Sequence, residues 1–141
     1  MDVQEVRKLD AYLKKLFGNT NLRVVPKTYD TANIFVGEDE VGELNLDDED
    51  GDRSFNFRMV IQVSSDPTMQ PIPTLTNYLK RKFENDKIRV VTRPKKTDSL
   101  EAYIGEEFLG VLFLEAEKGR KSYIFEIPIL DIDLVDEGVQ L

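Results

Sequence analysis

Apolar residues near the start of the chain repeat at helical spacing. They recur every three or four positions and are Val6, Leu9, Tyr12, Leu13, Leu16 and Phe17. This spacing places them on one face of a helix. Asp2 and Glu5 have the spacing of a capping box at its start, and Gly18-Asn19 supplies a left-handed stop at its end. The pattern therefore predicts an amphipathic helix that ends at Phe17.

Beyond this helix the spacing becomes that of strands. Runs of β-branched and aromatic residues bounded by turn residues predict four strands, at Leu22–Val25, Ala32–Val36, Val41–Asp47 and Arg53–Gln62. In the last run Phe55, Phe57 and Met59 alternate with polar residues, which is typical of a strand with one face in water. Asp50-Gly51 predicts the preceding tight turn, because glycine accepts a positive φ at little cost.

The same order of elements occurs a second time. Tyr12-Leu13-Lys14-Lys15-Leu16-Phe17 returns 66 positions later as Tyr78-Leu79-Lys80-Arg81-Lys82-Phe83. The offset stays 66 through the first strand and becomes 68 after the following loop, so that Gly37, Gly42, Ser54 and Phe57 return as Gly105, Gly110, Ser122 and Phe125. Pro73 lies near the start of the second helix, and Lys118-Gly119 predicts the second hairpin turn. Matches over whole elements indicate a duplicated module.

We therefore predict an α+β fold of two tandem helix-plus-four-strand antiparallel meander repeats, arranged as an intramolecular pseudo-dimer. The first repeat covers residues 1–63, and a linker rich in Pro and Ser covers 64–73. The second repeat covers 74–141 and includes an acidic C-terminal strand or tail. One copy of about 65 residues has a marginal core, so packing the two copies on each other buries surface that neither covers alone.

Several longer runs resemble a known family. They are Arg93 to Ser99, Tyr103 to Phe113 and Ile129 to Leu134 in the second copy, with Tyr12 to Asn19, Leu22 to Pro26 and Glu49 to Phe57 in the first. The family is the uncharacterised alphaproteobacterial domain-of-unknown-function family 3126, whose members are single copies of about the length of one repeat. The second copy departs from the family pattern at Ile124, where Asn is favoured. The resemblance implies an organisation and brings no catalytic residue, because no activity is known for the family.

Composition excludes several kinds of chemistry. The 141 residues include no His, Cys or Trp, so histidine bases, thiolate nucleophiles, disulfides and zinc knuckles are excluded. A net charge of −8 disfavours nucleic acid and anionic membranes as partners. The acidic start of the chain predicts no secretory signal, and no apolar run approaches the ~20 residues of a membrane span. Together with the absence of Cys, these features lead us to expect a cytoplasmic protein.

One cluster of acidic residues has both a functional and a structural interpretation. The acidic run 47–52 suggests calcium, but with Gly51 as the central glycine the first and last ligand positions fall on Leu46 and Phe57. We therefore expect a solvated hairpin tip, no metal site and no cofactor.

Gly42 and Gly110, inside apolar strands, predict a bulge or a close backbone approach; the functional alternative is backbone that lines a ligand groove. A phenol can act as an acid or a base, but no perturbing partner is evident for Tyr78, Tyr103 or Tyr123, which are predicted to be core or rim aromatics.

Two segments are candidate partner-binding sites. The basic stretch with Arg93, Lys95 and Lys96 is expected to complement an acidic partner, because no phosphate loop or nucleic-acid signature accompanies it. At the other segment Leu130, Ile132 and Leu134 alternate with acidic residues, which predicts a terminal strand with one apolar face. That strand either packs on its own domain or docks a partner. Pro128 predicts that the preceding strand is bulged or lies at an edge.

We predict a non-enzymatic protein-interaction (adaptor) module with no catalytic residue and an unidentified protein partner. The sequence does not determine its assembly state. Two alternatives remain. One is a protein that binds an effector like a secretion chaperone, since the size, charge and initial helix and strands resemble those of type III secretion chaperones. The other is a small-ligand-binding protein or an enzyme.

Overall fold

A computed structural model describes residues 1–48 and 52–135. The first copy consists of α1 (Val3–Phe17), β1 (Leu22–Pro26), β2 (Thr31–Val36), β3 (Asp39–Asp47) and β4 (Ser54–Val63). The second consists of α2 (Pro71–Phe83), β5 (Ile88–Arg93), β6 (Lys96–Ile104), β7 (Glu107–Glu117) and β8 (Arg120–Leu130), and a short helix α3 (Asp131–Val135) follows. The predicted α+β fold of two tandem helix-plus-four-strand meanders is confirmed.

Strands that are neighbours in sequence pair with each other, in the order β1-β2-β3-β4 in one copy and β8-β7-β6-β5 in the other. Pro26 faces Ala32 across the first hairpin, and Thr92 faces Leu100 at the equivalent place in the second. The duplication therefore extends to strand register. The chain divides into two compact units, Met1–Arg58 with Pro128–Leu141 and Met59–Ile127, so that the boundaries fall inside β4 and β8. The pseudo-dimeric relation between the copies stays a prediction.

The ends of α1 follow the sequence signals. The Asp2 carboxylate accepts a hydrogen bond from the Glu5 amide at 2.8 Å, and Glu5 Oε1 accepts one from the Asp2 amide at 3.2 Å. Gly18 stops the helix with φ +60°. Helix α2 begins at Pro71, inside the segment predicted as the linker, because the fixed φ of proline suits a first helical turn.

Each helix covers one face of its own strands. The equivalent buried side chains are Leu9, Leu13 and Phe17 in α1 and Leu75, Leu79 and Phe83 in α2. In the first copy Phe17 packs against Phe57 of β4, with ring centroids 6.4 Å apart. Because successive residues of a strand point to opposite faces, the residues that alternate with the core lie on a second, helix-free face.

Gly42 and Gly110 lie beside equivalent β-bulges. Val41 and Leu109 are the extra residues of these bulges, and both are buried. A Cβ at Gly42 would lie 2.9 Å from the carbonyl oxygen of Arg58, and a Cβ at Gly110 would lie 2.2 Å from that of Glu126. The predicted bulge and close approach are therefore both present.

The C-terminal segment corrects one prediction. Residues 131–135 form helix α3, so the predicted alternating strand is wrong. Asp133 Oδ2 accepts a hydrogen bond from the Leu130 amide at 3.1 Å, and acidic residues in a first turn favour a helix. Pro128 is exposed and lies beyond the last β7–β8 pair, at Glu126.

Of the two predicted hairpin turns, one falls within the described residues. Lys118 and Gly119 have φ of +49° and +79°, as a tight hairpin turn requires. The predicted turn at Asp50-Gly51 and the tail 136–141 lie outside the described residues.

Candidate interaction site

The helix-free face of the second copy carries apolar side chains. We call Tyr103, Phe108, Val111, Phe113 and Ile124 the apolar face. Phe113 of β7 pairs with Ile124 of β8, and Tyr103 of β6 pairs with Phe108 of β7. Phe113 is 40% exposed and Phe108 is 46% exposed. Ile124 is buried, although its place in the strand puts it on the face opposite the core. The surface therefore has an apolar centre with aromatic groups in contact with solvent.

The first copy has polar residues at four of the five equivalent positions. The pair of Phe113 and Ile124 corresponds to the pair of Asn45 and Asn56, which face each other between β3 and β4. Val111 likewise corresponds to Glu43. Since the ladder forms in both copies, the fold does not require apolar residues on this face.

One end of the apolar face contains an element common to both copies. The Arg89 guanidinium lies 4.5 Å from the Tyr103 ring centroid, and its Nε donates to the carbonyl of Gly105 at 2.8 Å. In the first copy, Arg23 repeats this arrangement at 4.8 Å from the ring of Phe35. The arginine–aromatic stack therefore belongs to the scaffold of the module.

Phe108 is an addition that distinguishes the second copy. It contacts Tyr103 edge to face at 5.6 Å, whereas the partner of Phe35 at the equivalent place in the first copy is Glu40. An aromatic side chain in contact with solvent thus replaces a carboxylate at the end of the face.

Two tyrosines of the second copy, Tyr103 and Tyr123, are held in their neutral form. Partial burial and the nearby Glu101 carboxylate, which accepts from the Tyr103 hydroxyl at 3.2 Å, raise the pKa of Tyr103. Burial raises the pKa of Tyr123. Both phenols are therefore protonated at neutral pH, as expected of core and rim aromatics.

The structure separates the three predicted basic site residues. Arg93 is engaged within its own hairpin, where Nη1 donates to Ser99 Oγ at 2.9 Å and Nε lies 3.9 Å from Glu101 Oε2. Lys95 and Lys96 are exposed where β5 turns into β6, and Lys95 has a φ of +61°. The two lysines are available to a partner, whereas the arginine braces the hairpin.

The three predicted apolar site residues also separate. Leu130 and Ile132 are exposed and line an open depression of about 480 Å³ with Arg53. Leu134 is buried, and its helix α3 contacts α1. The alternation in the sequence did not predict this helix, whose turn places Leu134 on a different side from Leu130 and Ile132.

Beside that depression, Arg53 forms a forked ion pair with Glu5. Arg53 Nη2 donates to Glu5 Oε1 at 2.9 Å, and Nε donates to Oε2. The hydrogen bonds from Arg53 hold the pKa of Glu5 below its ordinary value, and the carboxylate raises the pKa of Arg53. Sequence reasoning missed this pair because 48 positions separate its members.

Within residues 1–48 and 52–135, no three acidic side chains are grouped so that they could hold a metal ion. No helix there is long and apolar enough to cross a membrane.

These observations define a protein of two tandem α+β meanders, one of which has an apolar sheet face. Both halves match one family model, over residues 5–63 and 72–133, and the family is described as a protein of unknown function, DUF3126. The chain belongs to this family and carries its domain twice. No curated protein and no solved structure matches the chain.

Proposed function

We propose that the protein is a non-enzymatic interaction module and that the apolar face of its second copy contacts a protein partner. The observation that carries the proposal is the replacement of the pair Asn45 and Asn56 by Phe113 and Ile124 at the same place in the ladder. A change from two amides to an aromatic and an aliphatic side chain makes the face suited to burial against another protein.

The exposed aromatic rings of the apolar face can still contribute hydrophobic free energy on binding. Each apolar Å² removed from water contributes about 25 cal/mol, and Phe113 and Phe108 keep a large part of their surface in water. This gain is not used within the second copy, but a partner that covers the rings would realise it. Exposed aromatics grouped around a buried apolar centre are typical of interface hot spots. The raised pKa values of Tyr103 and Tyr123 provide no base for catalysis near neutral pH.

A site-specific cross-linking experiment tests the proposal. A photoreactive phenylalanine analogue is placed at position 113, and in a matched control at position 45, and each protein is irradiated in native lysate. We expect a discrete cross-linked protein from position 113 and none from position 45. The variant Phe113→Asn, which has the residue of the first copy, should abolish capture while its melting temperature stays close to that of the wild type.

Equal labelling from both positions, or none from either, would overturn the proposal. If the captured protein is an exported effector, the interaction role holds in its chaperone-like form. Loss of a small molecule from the purified protein on Phe113→Asn substitution would instead favour the ligand-binding alternative.

A further inference from the structure

The end of the β7–β8 hairpin borders an open depression of about 380 Å³, which we call the hairpin depression. Its lining combines two cations with two neutral hydrogen-bonding side chains and consists of Gln62, Val63, Ser65, Gly119, Arg120 and Lys121. All of these residues belong to the compact unit Met59–Ile127. Among the residues that the structure describes, no carboxylate lines it. The hairpin depression is therefore positively charged, although the protein as a whole is acidic.

The depression beside Arg53 is the equivalent feature of the other compact unit. Four of its lining residues are related to lining residues of the hairpin depression by the offset of 68, and the pairs are Asp52 with Arg120, Arg53 with Lys121, Leu130 with Gln62, and Asp131 with Val63. A comparison of the two depressions therefore shows which of these side chains the duplicated module does not require.

In the first copy the cation is neutralised by its neighbours. Arg53 donates to both carboxylate oxygens of Glu5, and its Nη1 lies 3.6 Å from Asp48 Oδ2. Asp52 and Asp131 line the same depression. Four carboxylates therefore accompany one guanidinium.

All four of these carboxylates are missing from the second copy. The residues at their positions are Pro71 for Glu5, Ala116 for Asp48, Arg120 for Asp52 and Val63 for Asp131. Lys121 keeps the positive charge of Arg53, so the exchange leaves two cations and removes their acidic neighbours. Within the described residues neither Arg120 nor Lys121 forms an ion pair. Glu117 faces Arg120 across the β7–β8 ladder, but together with Glu115 it lines an adjoining depression.

We propose that the hairpin depression binds the phosphate group of a phosphomonoester. Such a group carries a charge of about −2 at neutral pH, which matches two unpaired cations, whereas a single carboxylate would leave one cation without a partner. Arg120 and Lys121 donate charge-assisted hydrogen bonds to the phosphate oxygens, and the Ser65 hydroxyl and the Gln62 amide are neutral donors. None of these residues belongs to the apolar face, so the proposal is independent of the interaction role above.

The test is an NMR titration of the ¹⁵N-labelled full chain at constant ionic strength. One arm uses glycerol phosphate, and the other uses a peptide of glycine and serine with one phosphoserine. We expect saturable shifts of the Gly119, Arg120 and Lys121 amides. Tighter binding of the peptide would identify a phosphorylated protein as the source of the group, and equal or weaker binding of the peptide would identify a small molecule.

Two variants introduce residues of the first copy into the hairpin depression. Arg120→Asp introduces the residue found at position 52 and should weaken binding about three- to tenfold, because the guanidinium is exposed and its ion pair is only partly desolvated. Gln62→Leu introduces the residue found at position 130 and should weaken binding about two- to fivefold, since it removes one neutral donor. If Arg120→Asp does not fold, Gln62→Leu decides.

Lys95→Asp is the matched control. It changes the net charge by the same amount at another exposed turn, where Asp tolerates the φ of +61°, and it should leave Kd unchanged. Phe113→Asn should also leave Kd unchanged. Failure of the cross-linking experiment and failure of phosphate binding are therefore distinguishable.

Four results would overturn the proposal. They are shifts that do not saturate with either probe, the same shifts with sodium chloride at equal ionic strength, a Kd that Arg120→Asp leaves unchanged, and equal weakening by Lys95→Asp. The last result would mean that overall charge, and not the hairpin depression, attracts the phosphate group.

Discussion

The ion pair between Glu5 and Arg53 makes a quantitative prediction. Glu5→Gln removes the charge but keeps an amide that still completes the capping box with Asp2. The Glu5 side chain is 14% exposed and that of Arg53 is 32% exposed, so the pair lies between the exposed and the buried case. Exposed pairs are worth up to about 1 kcal/mol, and breaking a buried pair costs about 3–5 kcal/mol. We therefore expect a coupling free energy of about 1–2 kcal/mol.

The pH dependence of this coupling has a defined sign. The pKa of Glu5 is lowered in the folded protein, so the folded state favours the carboxylate. The pair contributes its full stability above the pKa of the unfolded chain, near 4.5, and loses it as the pH falls through the lower folded-state pKa. Glu5→Gln should therefore destabilise the protein at neutral pH and make little difference in strong acid.

The assay is a double-mutant cycle in urea with Glu5→Gln, Arg53→Met and the double variant, measured near neutral pH and near pH 3. Arg53→Lys keeps the positive charge but loses the forked geometry, and should recover only part of the coupling. A coupling below about 0.3 kcal/mol at neutral pH would refute the argument from burial. An equal penalty for Glu5→Gln at both pH values would refute the argument from the pKa.

Three further predictions concern the strands, α3 and the acidic turn. Gly110→Ala should cost about 2–3 kcal/mol and Gly42→Ala less in urea unfolding, because the new Cβ meets a backbone oxygen at 2.2 Å in one case and 2.9 Å in the other; equal costs would contradict this. Leu134→Ala should cost about 2–4 kcal/mol and Ile132→Ala less than about 0.5, since one side chain is buried and the other exposed; the reverse order would contradict the packing of Leu134 in the core. Millimolar calcium should leave the melting temperature unchanged, because the run 47–52 lacks the ligand spacing of a calcium loop; a rise of several degrees would refute this.

The sequence predicted those parts of the fold whose causes are local. Apolar spacing and the cap at Asp2 defined α1, and alternation between turns defined the strands. The bulges could be anticipated because Gly42 and Gly110 interrupt apolar strands at equivalent places. Helix α3 was not predicted because a short segment of alternating residues is compatible with a strand and also with one turn of helix. The hydrogen bond from the Leu130 amide to Asp133, which favours the helix, is visible only in three dimensions.

The candidate sites were less accessible to sequence reasoning, for a physical reason. Ile124 departs from the family pattern in the sequence, but its pairing with Phe113 depends on strand register. The hydrogen bond from the Val24 amide to Asp10 likewise joins residues fourteen positions apart, and no local pattern encodes it.

Duplication explains how this protein can tolerate features that would be hazardous in a single small domain. An exposed apolar face promotes aggregation. In the first copy the equivalent positions include Asn45 and Asn56, which keep its face polar. The second copy could therefore lose these protective residues while the first retained them. The net charge of −8 adds repulsion between molecules. The positions at which the copies differ are therefore the first places to look for the function of the protein.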